Sequence, residues 1–151
     1  MKNKSFKLMA LMLGIMVSAI SFTSCDKDDD EGNPPTIVSM TVADDNASAQ
    51  VSMSEAVYKM NNKTGNLDKS SFTVTITGGT ATLADYNVTH VAGTNEATIL
   101  LTTSGIANGE EVLTVKPSGS SSIYNASGDA MAADQMKTAN LNDIGIIGKW
   151  A

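Results

Sequence analysis

The sequence predicts an all-β body, a sandwich of seven or eight short antiparallel strands, behind a cleaved signal peptide and an acidic tether. Three observations predict it. Apolar and polar residues alternate with a period of two through most of residues 36–141, the mark of strands with one buried face. The alternating runs are short and separated by Gly, Asn, Asp and Ser turns, which suits a sandwich or barrel. No segment in that range carries the apolar stripe of a helix.

Taken in order, Gly32-Asn33-Pro34-Pro35 closes the tether, because proline stops a strand from starting early. Val38, Met40 and Val42 then alternate with Ser39, Thr41 and Ala43. Ala49, Val51 and Met53 alternate with Gln50, Ser52 and Ser54. Leu67 to Ser71 allows at most one turn of helix. The cleanest strand follows, with Phe72, Val74 and Ile76 set against Thr73, Thr75 and Thr77. Gly78-Gly79 predicts a hairpin turn into a strand at Ala81 and Leu83. Tyr86, Val88 and His90 share a face, with Val91 on the other side. Ala97, Ile99 and Leu101 make another strand, and Leu113 and Val115 one more after the turn at Asn108-Gly109. A weak last strand lies near Lys137 to Leu141.

The N-terminal segment is an address. Met1 to Lys7 carries three lysines and no acid, and Leu8 to Phe22 runs for fifteen residues without a charge. Thr23, Ser24 and Cys25 follow. A cationic start, an apolar centre and small residues at a cut site make a secretory signal, and the apolar run is short of the ~20 residues of a membrane span. Phe22-Thr23-Ser24-Cys25 resembles the lipobox of bacterial lipoproteins, with Phe22 where leucine is usual. The resemblance implies that Phe22, Thr23 and Ser24 are read by a signal peptidase, that the chain is cut before Cys25, and that Cys25 carries covalent lipid. Two or three acyl chains give stable anchoring, so a membrane becomes the expected partner.

Asp26-Lys27-Asp28-Asp29-Asp30-Glu31 places five acids in six residues, which like-charge repulsion keeps solvated and extended. It is no EF-hand loop, because Gly32 falls one place late and Ile37 stands where the glutamate belongs. A lysine followed by acids just after a lipidated cysteine resembles the surface-export signal of lipoproteins from certain Gram-negative gut bacteria. That implies an outer-membrane location facing outward. In some other Gram-negative bacteria, Asp26 at this place would imply inner-membrane retention. The expected organisation is a signal peptide at 1–24, lipidated cysteine and tether at 25–35, the β-sandwich at 36–141, and a tail or the start of a second domain at 142–151.

The body also resembles a family. VSMSEAV at 51–57, LDKSSFTVTITGG at 67–79, NGEEVLTVKP at 108–117 and SIYNASGDAM at 122–131 follow one another as in the bacterial Ig-like domains repeated on surface proteins. The Asn125-Ala126-Ser127-Gly128-Asp129 turn matches the one that leads to their closing strand. This implies an Ig-like antiparallel β-sandwich that acts as a spacer or adhesion module, without catalytic residues. The cysteine pair and mid-chain tryptophan of antibody domains are missing. At 146–150, Ile-Ile-Gly-Lys-Trp resembles the Gly-x-Trp start of lipocalin-like and calycin-like barrels.

Composition narrows the function. One cysteine and one histidine cannot build a Cys/His zinc site or an internal disulfide. A net charge of −6 with lysine as the only basic residue argues against nucleic acid. His90 lacks a G-x-S-x-G partner motif and is expected on a sheet surface or edge. Glu110 and Glu111 are adjacent, so on a strand they face apart, and both are expected to be solvated turn acids. Asp44, Asp45 and Asn46 suit a turn and a weak calcium site equally well. The four Asn-x-Ser/Thr sequons at Asn46, Asn62, Asn87 and Asn125 read as turn composition. No enzyme, catalytic residue, metal or cofactor is expected beyond the lipid on Cys25. The leading expectation is a surface lipoprotein that contacts protein or polysaccharide. One rival is an accessory glycan-binding lipoprotein using Tyr58, Tyr86 and Tyr124, with Phe72 in the core. The other is the N-terminal part of a ligand-binding calycin-like lipoprotein.

Overall fold

In a computed structural model that describes residues 32–145, the alternating segments become seven strands, and an eighth forms at Tyr124–Asn125, where the sequence reading has a turn. They are β1 Ile37–Val42, β2 Ser48–Tyr58, β3 Phe72–Thr77, β4 Thr82–His90, β5 Thr94–Ser104, β6 Val112–Pro117, β7 Tyr124–Asn125 and β8 Lys137–Asn140. One sheet has the order β1-β2-β5-β4, with β7 added on β2, and the other has the order β3-β6-β8. Every pairing is antiparallel. The inner faces bury Val51, Val57 and Ile99 from the first sheet against Phe72, Leu113 and Val115 from the second, with Ile123 and Met131 from the loops. The expected helical turn is a 3-10 turn at Lys69–Ser71. Asp68 caps it by accepting from the Ser70 N–H at 2.9 Å, while the Asp68 N–H donates to Ser71 Oγ at 3.2 Å. Two donors are thereby satisfied reciprocally.

Three expectations of the strand reading change. Gly78 and Gly79 do not close a hairpin, because β3 pairs with β6 and β4 pairs with β5. With φ of 78° and 58°, they carry the chain from one sheet to the other. Glycine marks where the chain can turn, not which strand it meets next. β4 meets β5 instead in a hairpin through Val91–Gly93, where the Thr94 N–H donates to the Val91 carbonyl at 3.0 Å, and β1 meets β2 in another. Next, Ala81-Leu83 and Tyr86–His90 belong to one run of chain rather than two strands. A register shift between Leu83 and Asp85 hides the continuity. A similar shift between Ile37 and Ser39 turns Val38 outward, 54% exposed, and buries Ile37 instead. A bulge reverses which side chains face the core.

The chain enters and leaves this body at opposite ends of β2. At one end Pro35 is buried, and Asn33 offers its carbonyl to Asn125 Nδ2 at 3.3 Å. Asn125 lies opposite Val57 in the β2–β7 pairing. Of Gly32–Pro35, read from the sequence as the end of the tether, Pro35 therefore packs on the body and Asn33 is tied to it by its backbone, while Asn33 and Pro34 stay exposed. At the other end, Asn46 just ahead of β2 exchanges two bonds of 2.8 Å with the backbone N–H and carbonyl of Asn142. Ile144 follows with its N–H on the Ala107 carbonyl at 3.1 Å.

Candidate functional site

A polar groove lies beside the end of β2 where the chain enters. Its first part is a hollow of about 330 Å³ lined by Lys59, Ser70, Ser71 and the run Ser118 to Ser122, small for a ligand pocket. A second hollow shares Lys59 and Ser121 and adds Met60, Asn61, Asn62 and Tyr124. Internal bonds shape the serine loop. Ser118 Oγ donates to the Ser70 carbonyl at 2.6 Å, and Ser122 Oγ donates to the Gly119 carbonyl at 2.8 Å. Ser120 and Ser121 remain exposed. Lys59 Nζ pairs with Asp68. That bond, followed by one from Ser70, holds the Asp68 carboxyl below its ordinary value. An ammonium has three donors, so Lys59 has others to offer. Tyr124 stands opposite Tyr58 in the β2–β7 register. Hydroxyls, amides, one ammonium and a tyrosine ring can hydrogen-bond and pack against a polyol. His90 does not line the groove.

Cys25, the peptidase-recognition residues Phe22, Thr23 and Ser24, and the acidic stretch Asp26, Lys27, Asp28, Asp29, Asp30 and Glu31 lie outside the described residues. So do Gly148 and Trp150. Tyr86 is committed elsewhere: its hydroxyl donates to the Phe72 carbonyl at 2.8 Å and joins the two sheets. Phe72 is in the core, 2% exposed. Asp45 Oδ1 accepts the Ala47 N–H at 2.9 Å, and Asn46 is buried with a φ of 59°, so these residues build a turn. Among the described residues, no group of three or more His, Cys, Asp or Glu side chains converges as metal ligands would.

Two polar residues are more buried than the sequence reading has them. His90 is on the edge strand β4 but faces inward, 8% exposed. Burial lowers its pKa below 6.5, against a smaller opposing effect of its bond to Thr94. Glu111 is not a solvated acid, for it has no exposed area, whereas Glu110 is open to water. One Glu111 oxygen accepts the N–H groups of Thr80 and Ala81 at 2.7 and 2.8 Å. The other accepts those of Asn108 and Gly109 at 3.0 and 3.1 Å. Loss of water pushes this carboxyl up, but the N–H donors outweigh it and lower the pKa to about 2. Glu111 thus ties the β3–β4 crossover to the β5–β6 loop. The crossover has room for it because Gly79 has no side chain: a Cβ there would stand 2.2 Å from Glu111 Cδ.

No family model matches the chain, and neither a curated protein nor a solved structure is significantly similar to it.

Proposed function

We propose that the protein is a lipid-anchored lipoprotein of the bacterial cell surface, with an Ig-like body that works as a non-catalytic spacer or adhesion module. The observation that carries the reading is Cys25. It is the only cysteine in the chain and directly follows three early lysines, fifteen uncharged residues and two small ones. The order β1-β2-β5-β4 over β3-β6-β8 supports the Ig-like part, since constant-type Ig domains arrange their strands as ABED over CFG. The acidic stretch leads into Gly32 at one end of the body, as a stalk would. Palmitate labelling and membrane fractionation test the anchor. Both depend on Cys25 in this reading, and a Cys25→Ala chain that keeps its label and its membrane fraction refutes it.

The polar groove favours a second reading, an accessory glycan-binding lipoprotein. Lys59, Tyr124 and the Ser118–Ser122 loop would hold the sugar, while Tyr86 is already engaged between the sheets. Retention on a panel of immobilised polysaccharides should fall with Tyr124→Ala or Lys59→Ala and stay the same with Tyr86→Phe. Absence of retention across the panel rejects this reading and leaves the anchor untouched.

A further inference from the structure

The connector between β2 and β3, residues 59–71, is tied to β4 at Lys69, which bonds Asp85 and Tyr86, and around Asn66 and Leu67 by two further hydrogen bonds to the β4–β5 hairpin. Ala92 N–H donates to Asn66 Oδ1 at 2.9 Å. Leu67 N–H donates to His90 Nδ1 at 3.1 Å, inside the body. On the far side of the ring, His90 Nε2 lies 3.2 Å from the Thr94 carbonyl oxygen. A carbonyl only accepts and a backbone N–H only donates, so the ring is the neutral tautomer with its proton on Nε2. A second proton would have to sit on Nδ1 and point at the Leu67 N–H, donor against donor. Leu67 is 1% exposed, so no water replaces the lost partner while the connector stays in place.

We propose that His90 is an acid-sensitive latch on the β2–β3 connector, which grips Leu67 when neutral and releases it when protonated. Both sheets keep their ladders, because none of their backbone pairings runs through the imidazole. Among the described residues no carboxylate lies within ion-pair distance of the ring. Glu96 of β5 lines the same hollow as His90 but accepts from Gln50 Nε2 at 3.0 Å. On the connector, Asp68 is paired with Lys59, and Lys69 with Asp85 of β4. Tyr58 ends β2 and Tyr86 hydrogen-bonds Phe72. Burial keeps the folded-state pKa of the ring under 6.5. The hold is therefore complete above pH 6.5 and is lost as pH falls from there through the folded value. The connector also supplies Lys59, Asn61 and Asn62 to the polar groove, so release loosens that wall. The latch does not depend on what the groove binds.

The test is residue-resolved amide exchange on the full chain in detergent, with His90 titrated by imidazole nitrogen shifts in the same samples. Protection of the Leu67 amide should fall about tenfold more than that of Leu113 once His90 is protonated, as expected for one lost hydrogen bond. His90→Asn keeps an acceptor in the place of Nδ1 and cannot gain a proton, so Leu67 protection should no longer follow the titration. The proposal is overturned if Leu67 and Leu113 lose protection together, or if the Asn variant shows the same fall. A neutral-pH ring protonated on Nδ1, or one that stays neutral until the whole body unfolds, overturns it too. The tautomer and the wild-type comparison decide the matter alone should the variant not fold.

Discussion

A carboxylate shut away from water needs donors on both oxygens, and Glu111 finds four in two loops, at Thr80 and Ala81 and at Asn108 and Gly109. The consequence is a signed pH dependence. An ordinary glutamate titrates near 4.5, whereas folded Glu111 does so at about 2. Its contribution to stability is full above the ordinary value and drains away as pH falls toward the folded one. Urea melts of the wild type should lose midpoint between pH 5 and pH 2.5. Glu111→Gln should melt lower at pH 7 and lose less on acidification, because an amide presents a donor where two N–H groups already point. Equal pH slopes for both chains would refute this. Asn125 is a second pin. Its Oδ1 accepts the N–H groups of Ser127 and Asp129 at 3.0 and 2.8 Å, while Nδ2 faces Asn33 O, Glu55 Oε1 and Asp129 Oδ2 at 3.3 to 3.4 Å. Asn125→Asp turns that amide into an oxygen among oxygens. It should cost about 1–3 kcal/mol at pH 7 in chemical denaturation. In the sequence, both residues look like turn composition. What distinguishes them is burial against segments far away in the chain.

Strands were legible wherever the alternation ran unbroken. Phe72–Thr77 needed only its own six residues, and Ala97–Leu101 likewise. Partners were not legible, since Gly78-Gly79 reports a change of direction that a hairpin and a sheet-to-sheet crossover share. Bulges at Ile37/Ser39 and Leu83/Asp85 broke the period and misplaced Val38. The crossover makes its own prediction. Gly79→Ala combines a left-handed φ of 58° with a contact that Glu111 cannot yield without leaving its donors. It should destabilise the body by at least about 1 kcal/mol, read as a shifted urea midpoint. Gly119→Ala meets nothing within 4 Å and should leave the midpoint in place. The groove was hidden for a related reason: Lys59 and the Ser118–Ser122 run lie far apart in sequence, and only the fold brings them to one wall. The proposed anchor residues are the opposite case: they are read from chain order alone and lie outside the described residues.

At the scale of the whole body, the chain comes in beside Asn125 and goes out beside Asn46, with β2 between them. Eleven residues of β2 at ~3.3 Å each span roughly 35 Å. Spin labels at Asn33 and Asp143 should therefore give a distance near or above about 30 Å, and a distribution centred below about 20 Å would contradict the arrangement. The two ends also fix how the body meets a load. β1 runs from the incoming end toward the outgoing one, and β8 runs the same way on the other sheet. A pull between Gly32 and Gly145 is directed along both strands, parallel to the β1–β2 and β6–β8 ladders. The rungs of each ladder then share the strain at once instead of peeling in turn, so tension loads the domain in shear, the direction in which hydrogen-bonded strands resist most.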